Sequence, residues 1–240
     1  MFAAYLDASG TEHDQPVLAV AGFLALAEEW LAFELVWRER LSRDGLAYFH
    51  MREINREYKG DSAGRRRLLE DLARIIGEHV TMKVGCCVVN EGLNQIPDTD
   101  RKRWYLNAYS LTGRSCAAQI RIWANGWSAR FLPLIVFEEG DTGSGELTKI
   151  LQRDGFGAPS FVSKTDRKAN GASSRGATPL EAADLFAYAV FESCRKIEQE
   201  SDIQELPWLL DVFRKIPGVV RHIGAKDLDD LLKRLEMPEL

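Results

Sequence analysis

Tyr5-Leu6-Asp7-Ala8-Ser9-Gly10 is the stretch on which the fold turns. Phe2 to Leu6 is a short apolar run, and Ser9-Gly10-Thr11-Glu12-His13-Asp14 is a cluster of turn formers. The expectation is a buried strand that breaks into a turn just after Asp7. Such a strand delivers one carboxylate to its carboxyl end. An unpaired buried charge is costly, so Asp7 there needs a metal, a cation or hydrogen-bond donors. The plainer alternative is that Asp7 only hydrogen-bonds the backbone of its own turn.

Working outward, Val17 to Leu26 is a nearly continuous apolar run that predicts a second strand, joined to the first by a hairpin-like turn. Glu28 to Arg43 has helical spacing, with Trp30, Phe33, Trp37 and Leu41 on one core-facing stripe. Asp61 to His79 is the clearest amphipathic helix, turning Leu68, Leu69, Leu72, Ile75 and Ile76 inward. Val80 to Asn90 predicts a third strand and Asn90 to Thr99 a loop. A long helix is expected over Arg101 to Trp127, broken at Asn125-Gly126, then a fourth strand over Leu132 to Phe137. Gly145 to Gly155 is a short helix, Ser160 to Ser163 a short last strand, and Lys164 to Ala177 a mobile Gly/Ser/Ala-rich loop. Thr178-Pro179-Leu180-Glu181 opens a further helix as a capping box, which by itself accounts for Glu181. Ile203 to Leu240 shows two short helical patterns punctuated by Pro207, Pro217 and Pro238.

These 240 residues suit one large α/β domain over 1–197, with a helical extension over 198–240 packed on it. With 45% hydrophobic and 28% charged residues, the composition is that of an ordinary globular protein. No apolar run approaches the roughly 20 residues of a membrane span, and the first residues lack a secretory pattern, so no membrane partner and a cytoplasmic location are expected. Cys86, Cys87, Cys116 and Cys194 form no C-x-x-C pair and read as small buried hydrophobes. P-loop, G-x-G-x-x-G and H-E-x-x-H patterns do not occur.

A formal charge of −5 argues against a globally basic nucleic-acid coat, but the charge is unevenly spread. Arg101 to Phe137 holds six basic residues and no acid, whereas Glu198 to Leu240 holds ten acids against six bases. Trp104, Tyr105, Tyr109 and Trp123 interleave with the first group. That pattern suits either a stacking platform for nucleic acid or a core helix with a basic outer face.

Two further acids sit where Asp7 sits. The fourth strand ends in Glu138-Glu139-Gly140-Asp141, and alternation lets only one of Glu138 and Glu139 reach a common site. Asp184 falls inside the apolar stripe Leu180, Ala183, Ala187, Val190, Phe191 and Cys194, where a carboxylate needs a partner. His50 and Glu53 share a face if Tyr48 to Glu53 is helical, and could assist metal or proton chemistry or form a surface pair. Converging carboxylates without clustered His or Cys suit Mg2+ or Mn2+. Such ions support phosphodiester hydrolysis.

The order of elements resembles the ribonuclease H-like fold, a mixed sheet flanked by helices with helical insertions. Tyr5-Leu6-Asp7-Ala8-Ser9-Gly10, Phe49-His50, Phe137-Glu138-Glu139-Gly140-Asp141 and Leu180-Glu181-Ala182-Ala183-Asp184-Leu185-Phe186-Ala187-Tyr188 are similar to landmarks of the bacterial family called domain of unknown function 3800. The resemblance runs from about Met1 to Glu192. It implies Asp7, Glu138 and Asp184 as catalytic, metal-binding acids with His50 and Glu53 as accessories. The family pattern at the first strand end is Asp-Glu-Ser-Gly, and here Ala8 takes the place of the Glu. Adjacent strand residues face opposite ways, so a site on Asp7 survives that change. The expected activity is a metal-dependent nuclease or phosphodiesterase, with Arg101, Arg103, Lys164, Arg167, Lys168 and Arg175 contacting the nucleic-acid backbone. A non-catalytic interaction module and a small-molecule phosphoryl hydrolase are the alternatives.

Overall fold

β1 (Phe2–Ser9) lies inside a six-stranded sheet because both of its faces are apolar. A computed structural model describes residues 1–12, 14–126, 132–167, 173–199, 207–224, 226–228, 230 and 233, with backbone alone at 165–167, 173–175, 199 and 207. After β1 come β2 (Val17–Leu26), α1 (Ala27–Arg43), α2 (Met51–Glu57), α3 (Ser62–His79) and β3 (Met82–Val89). The middle of the chain forms α4 (Asn90–Asn94), α5 (Asp98–Trp104), α6 (Ala108–Asn125), β4 (Leu134–Glu138), α7 (Ser144–Arg153) and β5 (Ser160–Val162). It closes with β6 (Thr165–Arg167), β7 (Ser173–Arg175), α8 (Thr178–Gln199), α9 (Pro207–Arg214) and β8 (Gly218–Ile223).

The sheet order is β5-β4-β1-β2-β3-β8. β1, β4 and β5 run parallel, β2 is antiparallel to β1 and β3, and β8 is parallel to β3. The chain is thus an α/β protein with a mixed sheet flanked by helices. One face is covered by α1, α3, α8 and α9 through Phe23, Phe33, Trp37, Leu72, Phe186 and Phe213. The other is covered by α6 and α7 through Leu6, Val84, Ile120, Phe137 and Leu147. Each large apolar side chain so buried stabilises the fold by about 1.5–3 kcal/mol. No helix among the described residues is long and apolar enough to cross a membrane.

The expected stripes of α1 and α3 are the buried ones. Several expectations are corrected, among them the loop over Asn90 to Thr99, which holds α4 and the start of α5. β1 continues two residues beyond Asp7 and turns only at Gly10, whose φ of 81° suits glycine and whose missing Cβ leaves room for the Phe191 ring. The helix expected from Arg101 is two helices, because Tyr105 adopts a left-handed φ of 55° and Asn107 starts a new one. Asn107 Oδ1 accepts the Ser110 N–H (2.7 Å) and Ser110 Oγ accepts the Asn107 N–H (2.9 Å), a reciprocal cap that side-chain periodicity does not reveal. The 164–177 segment is not all loop, since β6 and β7 pair antiparallel. The tail is not all helical, since after Pro217 the β-branched Val219, Val220 and Ile223 form a strand beside β3. The reading of all four cysteines as small buried hydrophobes is corrected for Cys87 and Cys194, which are joined as a disulfide between β3 and α8, and holds for the free, buried Cys86 and Cys116.

Candidate functional site

The parallel register sets the first two acids side by side. Leu6 pairs with Phe137, so one step further along each strand stand Asp7 and Glu138. Both face the α8 side of the sheet, because Leu6 and Phe137 belong to the opposite core. Asp7 is 3% exposed, and its Oδ1 accepts the Ala8 N–H at 2.8 Å. That bond is to the next residue within β1 and not to a turn, and it leaves Oδ2 for a second partner.

That partner is Lys164, just beyond β5. Its Nζ lies 2.8 Å from Asp7 Oδ2, 2.9 Å from Glu138 Oε2 and 3.5 Å from Asp184 Oδ1. Asp184 comes from α8 and is 7% exposed. Its other oxygen accepts the Met51 N–H at 2.7 Å and meets His50 Nδ1 at 3.1 Å. One turn earlier on the same helix face, the fully buried Glu181 accepts Trp37 Nε1–H (2.7 Å) and the Phe49 N–H (2.9 Å) through Oε2. Glu181 and Asp184 together grip Phe49–Met51 and present the half-exposed His50 at the edge of the cluster.

Burial alone would raise the Asp184 pKa, but Lys164, His50 and the Met51 N–H hold it below the ordinary value. Burial and then the Asp7 charge push Glu138 up to about 9, with Lys164 opposing. Burial and Asp7 likewise push Asp141 up to about 7. Burial would lower the Lys164 pKa, but Asp7, Asp184 and Glu138 carry it well above its usual value. The Lys164 ammonium is thus held in its charged form, Asp184 is held ionised beside it, and Glu138 is the acid pushed toward its protonated form.

The position among the acids is thus held by an amine. Among the described residues no group of three or more His, Cys, Asp or Glu is arranged to hold a metal ion. With Lys164 seated, the cluster does not fit Mg2+ or Mn2+. Its oxygen-only donors would suit either ion if Lys164 withdrew. Among the described residues the buried Asp141 Oδ2 and the buried Tyr109 hydroxyl have no hydrogen-bond partner.

Lys164, expected at the phosphate backbone, is corrected: it is 5% exposed and points into the acids. His50 is not helical but precedes α2, and its partner is Asp184 rather than Glu53. Glu53 lies in the first turn of α2 and, among the described residues, makes no side-chain contact with the cluster. Arg101 pairs with Asp98, and Arg103 stacks over Trp104 at 5.1 Å. Arg101, Lys102, Tyr105, Asn107 and Lys149, with the acids Asp98 and Glu146, line an open groove of about 490 Å³. Asn107 also abuts Gly143, in the loop that follows Glu138. Arg167 and Arg175 lie in β6 and β7 with their side chains outside the description, and Lys168 lies outside the described residues.

Glu181 and Asp141 are the site residues that the sequence reading passed over. The signal for Glu181 was its i, i+3 spacing from Asp184 on an apolar helix face. Thr178, expected to cap that helix, donates its hydroxyl to Glu34 at 3.1 Å. No family model matches the chain, and no curated protein matches it either.

Proposed function

We propose that this protein hydrolyses phosphodiester bonds of nucleic acid, with Asp7, Glu138 and Asp184 as its active-site acids and Mg2+ or Mn2+ as its cofactor. The observation that carries the reading is the convergence of three carboxylates from β1, β4 and α8 on a single cation position. A divalent cation there would polarise the phosphoryl group. His50, held by Asp184 through Nδ1, keeps Nε2 free to take up or release a proton near the acids. The groove of Lys102, Lys149 and Tyr105, with Arg101, Arg103, Arg167, Lys168 and Arg175, would neutralise the phosphate backbone and stack a base. In support of a ribonuclease H-like fold, β3-β2-β1 form an antiparallel trio and β4 and β5 continue parallel to β1. The resemblance to the domain of unknown function 3800 family points the same way.

A second reading has its own observation. Lys164 already neutralises the cluster, as a non-catalytic interaction module would require. Labelled single-stranded DNA, duplex DNA and RNA oligonucleotides incubated with Mn2+ separate the two. Cleavage by the wild type and its loss in Asp7→Asn is the expected result. No cleavage of any substrate, or equal cleavage by the variant, would favour the module.

A further inference from the structure

Lys164 is the one feature of the site that the proposed activity does not use, and it contradicts a ready-made metal centre. The residue is 5% exposed, and its ammonium lies within 3.5 Å of three carboxylates. We propose that Lys164 is the resident cation of this cluster, and that its ammonium and a divalent cation are mutually exclusive occupants, so that metal binds only when the lysine side chain swings out. The inference rests on the phosphodiesterase reading and deepens it by naming how the metal site is held shut.

The backbone under Lys164 is fixed, which confines the exchange to the side chain. Lys164 O accepts the Gly176 N–H at 2.8 Å, and Ser163 O accepts the Ala177 N–H at 3.0 Å. A Cβ on Gly176 would lie 2.3 Å from Ser163 O, so this close approach requires glycine there. The lysine stem has four rotatable methylenes, enough to withdraw the charge while the main chain stays in place. Two positive ions cannot share the position: a divalent cation would sit where the ammonium contacts Asp7 and Glu138, and the two would repel at van der Waals distance.

The cost of opening appears as weakened metal binding. Apparent affinity falls by the fraction of time the position is vacated, so a lysine seated about 99% of the time weakens binding about 100-fold. Calorimetric titration of Mn2+ into the wild type and Lys164→Met tests this. At least about tenfold tighter binding by the variant is expected. Because removing a positive charge alone also favours a cation, a second readout uses the wild type unaltered. Brief amine-reactive labelling with peptide mass spectrometry should find Lys164 protected without metal and labelled at least about tenfold faster in saturating Mn2+. If Mn2+ saturates the wild type while Lys164 stays protected, exclusive occupancy is overturned and the metal reading stands. If neither the wild type nor Lys164→Met binds Mn2+, both fall.

Discussion

Replacing Lys164 with Met keeps an unbranched stem of similar bulk and deletes only the charge, so the variant isolates the ammonium. In the wild type the Nζ stands 2.8 Å from Asp7 and 3.5 Å from Asp184, both nearly inaccessible to water. Without it, Asp7 and Asp184 remain buried in one pocket beside Glu138 with their cation removed. Breaking a buried pair in this way costs about 3–5 kcal/mol. For a chain of this length each kcal/mol moves Tm by about 2–4 °C, so a drop of about 6–20 °C is expected near neutral pH without divalent ions. The deficit must also depend on pH. In the variant Asp184 loses the lysine that opposes the effect of its burial, so its folded-state pKa rises. The folded state then binds the extra protons, and its stability recovers as pH falls. Thermal unfolding followed by circular dichroism, near neutral pH and at about pH 5, reads both effects. Lys102→Met on exposed α5 is the control and should change stability by no more than about 0.5 kcal/mol. A Tm for Lys164→Met close to that of the wild type, or a deficit that does not change with pH, would refute the reasoning.

Glu181→Ala should cost about 2–6 kcal/mol, since it strands the buried Trp37 Nε1–H and Phe49 N–H at about 1–3 kcal/mol each; urea unfolding followed by tryptophan fluorescence measures it, and a cost below about 1 kcal/mol would contradict the grip on Phe49–Met51. Glu138 binds a proton in the folded state up to about pH 9 and in the unfolded state only to about 4.5, so it makes stability fall as pH rises between those values. Asp141 adds the same sign only up to about pH 7, so Glu138→Gln should flatten the decline between about pH 7 and 9, and an unchanged slope there would count against the assignment. Thiol counting in denaturant should find Cys86 and Cys116 free before reduction and four thiols after it, with reduction lowering stability by about 2–5 kcal/mol; four thiols without reductant would remove the Cys87–Cys194 link.

The sheet was legible where period and burial agree. β1 and β2 are apolar runs bounded by turn formers, and the α1 stripe of Trp30, Phe33, Trp37 and Leu41 is helical by spacing alone. The three acids were legible as misfits: Asp7 and Glu138 beside apolar strand cores, and Asp184 inside an apolar helix stripe. Lys164 was not, because a lysine in a Gly/Ser-rich stretch reads as solvated, and only the tertiary fold brings it beside Asp7 of β1, 157 residues distant in sequence. The break at Tyr105 and the start at Asn107 escaped for a related reason, since a reciprocal side-chain cap outweighs an uninterrupted helical pattern. β8 was hidden by short length and by charged neighbours, and its pairing with β3 is set by long-range contacts that no local pattern encodes.

The most direct test of the central claim, that Asp7, Glu138 and Asp184 form one cation-binding position, is a calorimetric Mn2+ titration of Lys164→Met beside the double variant Lys164→Met/Asp7→Asn. Removing the lysine vacates the position, and Asp7→Asn then takes away the charge and one oxygen of its most buried carboxylate. Saturable binding in the single variant, weakened at least about tenfold in the double, is the predicted result. Equal binding in the two, or none in either, would contradict it.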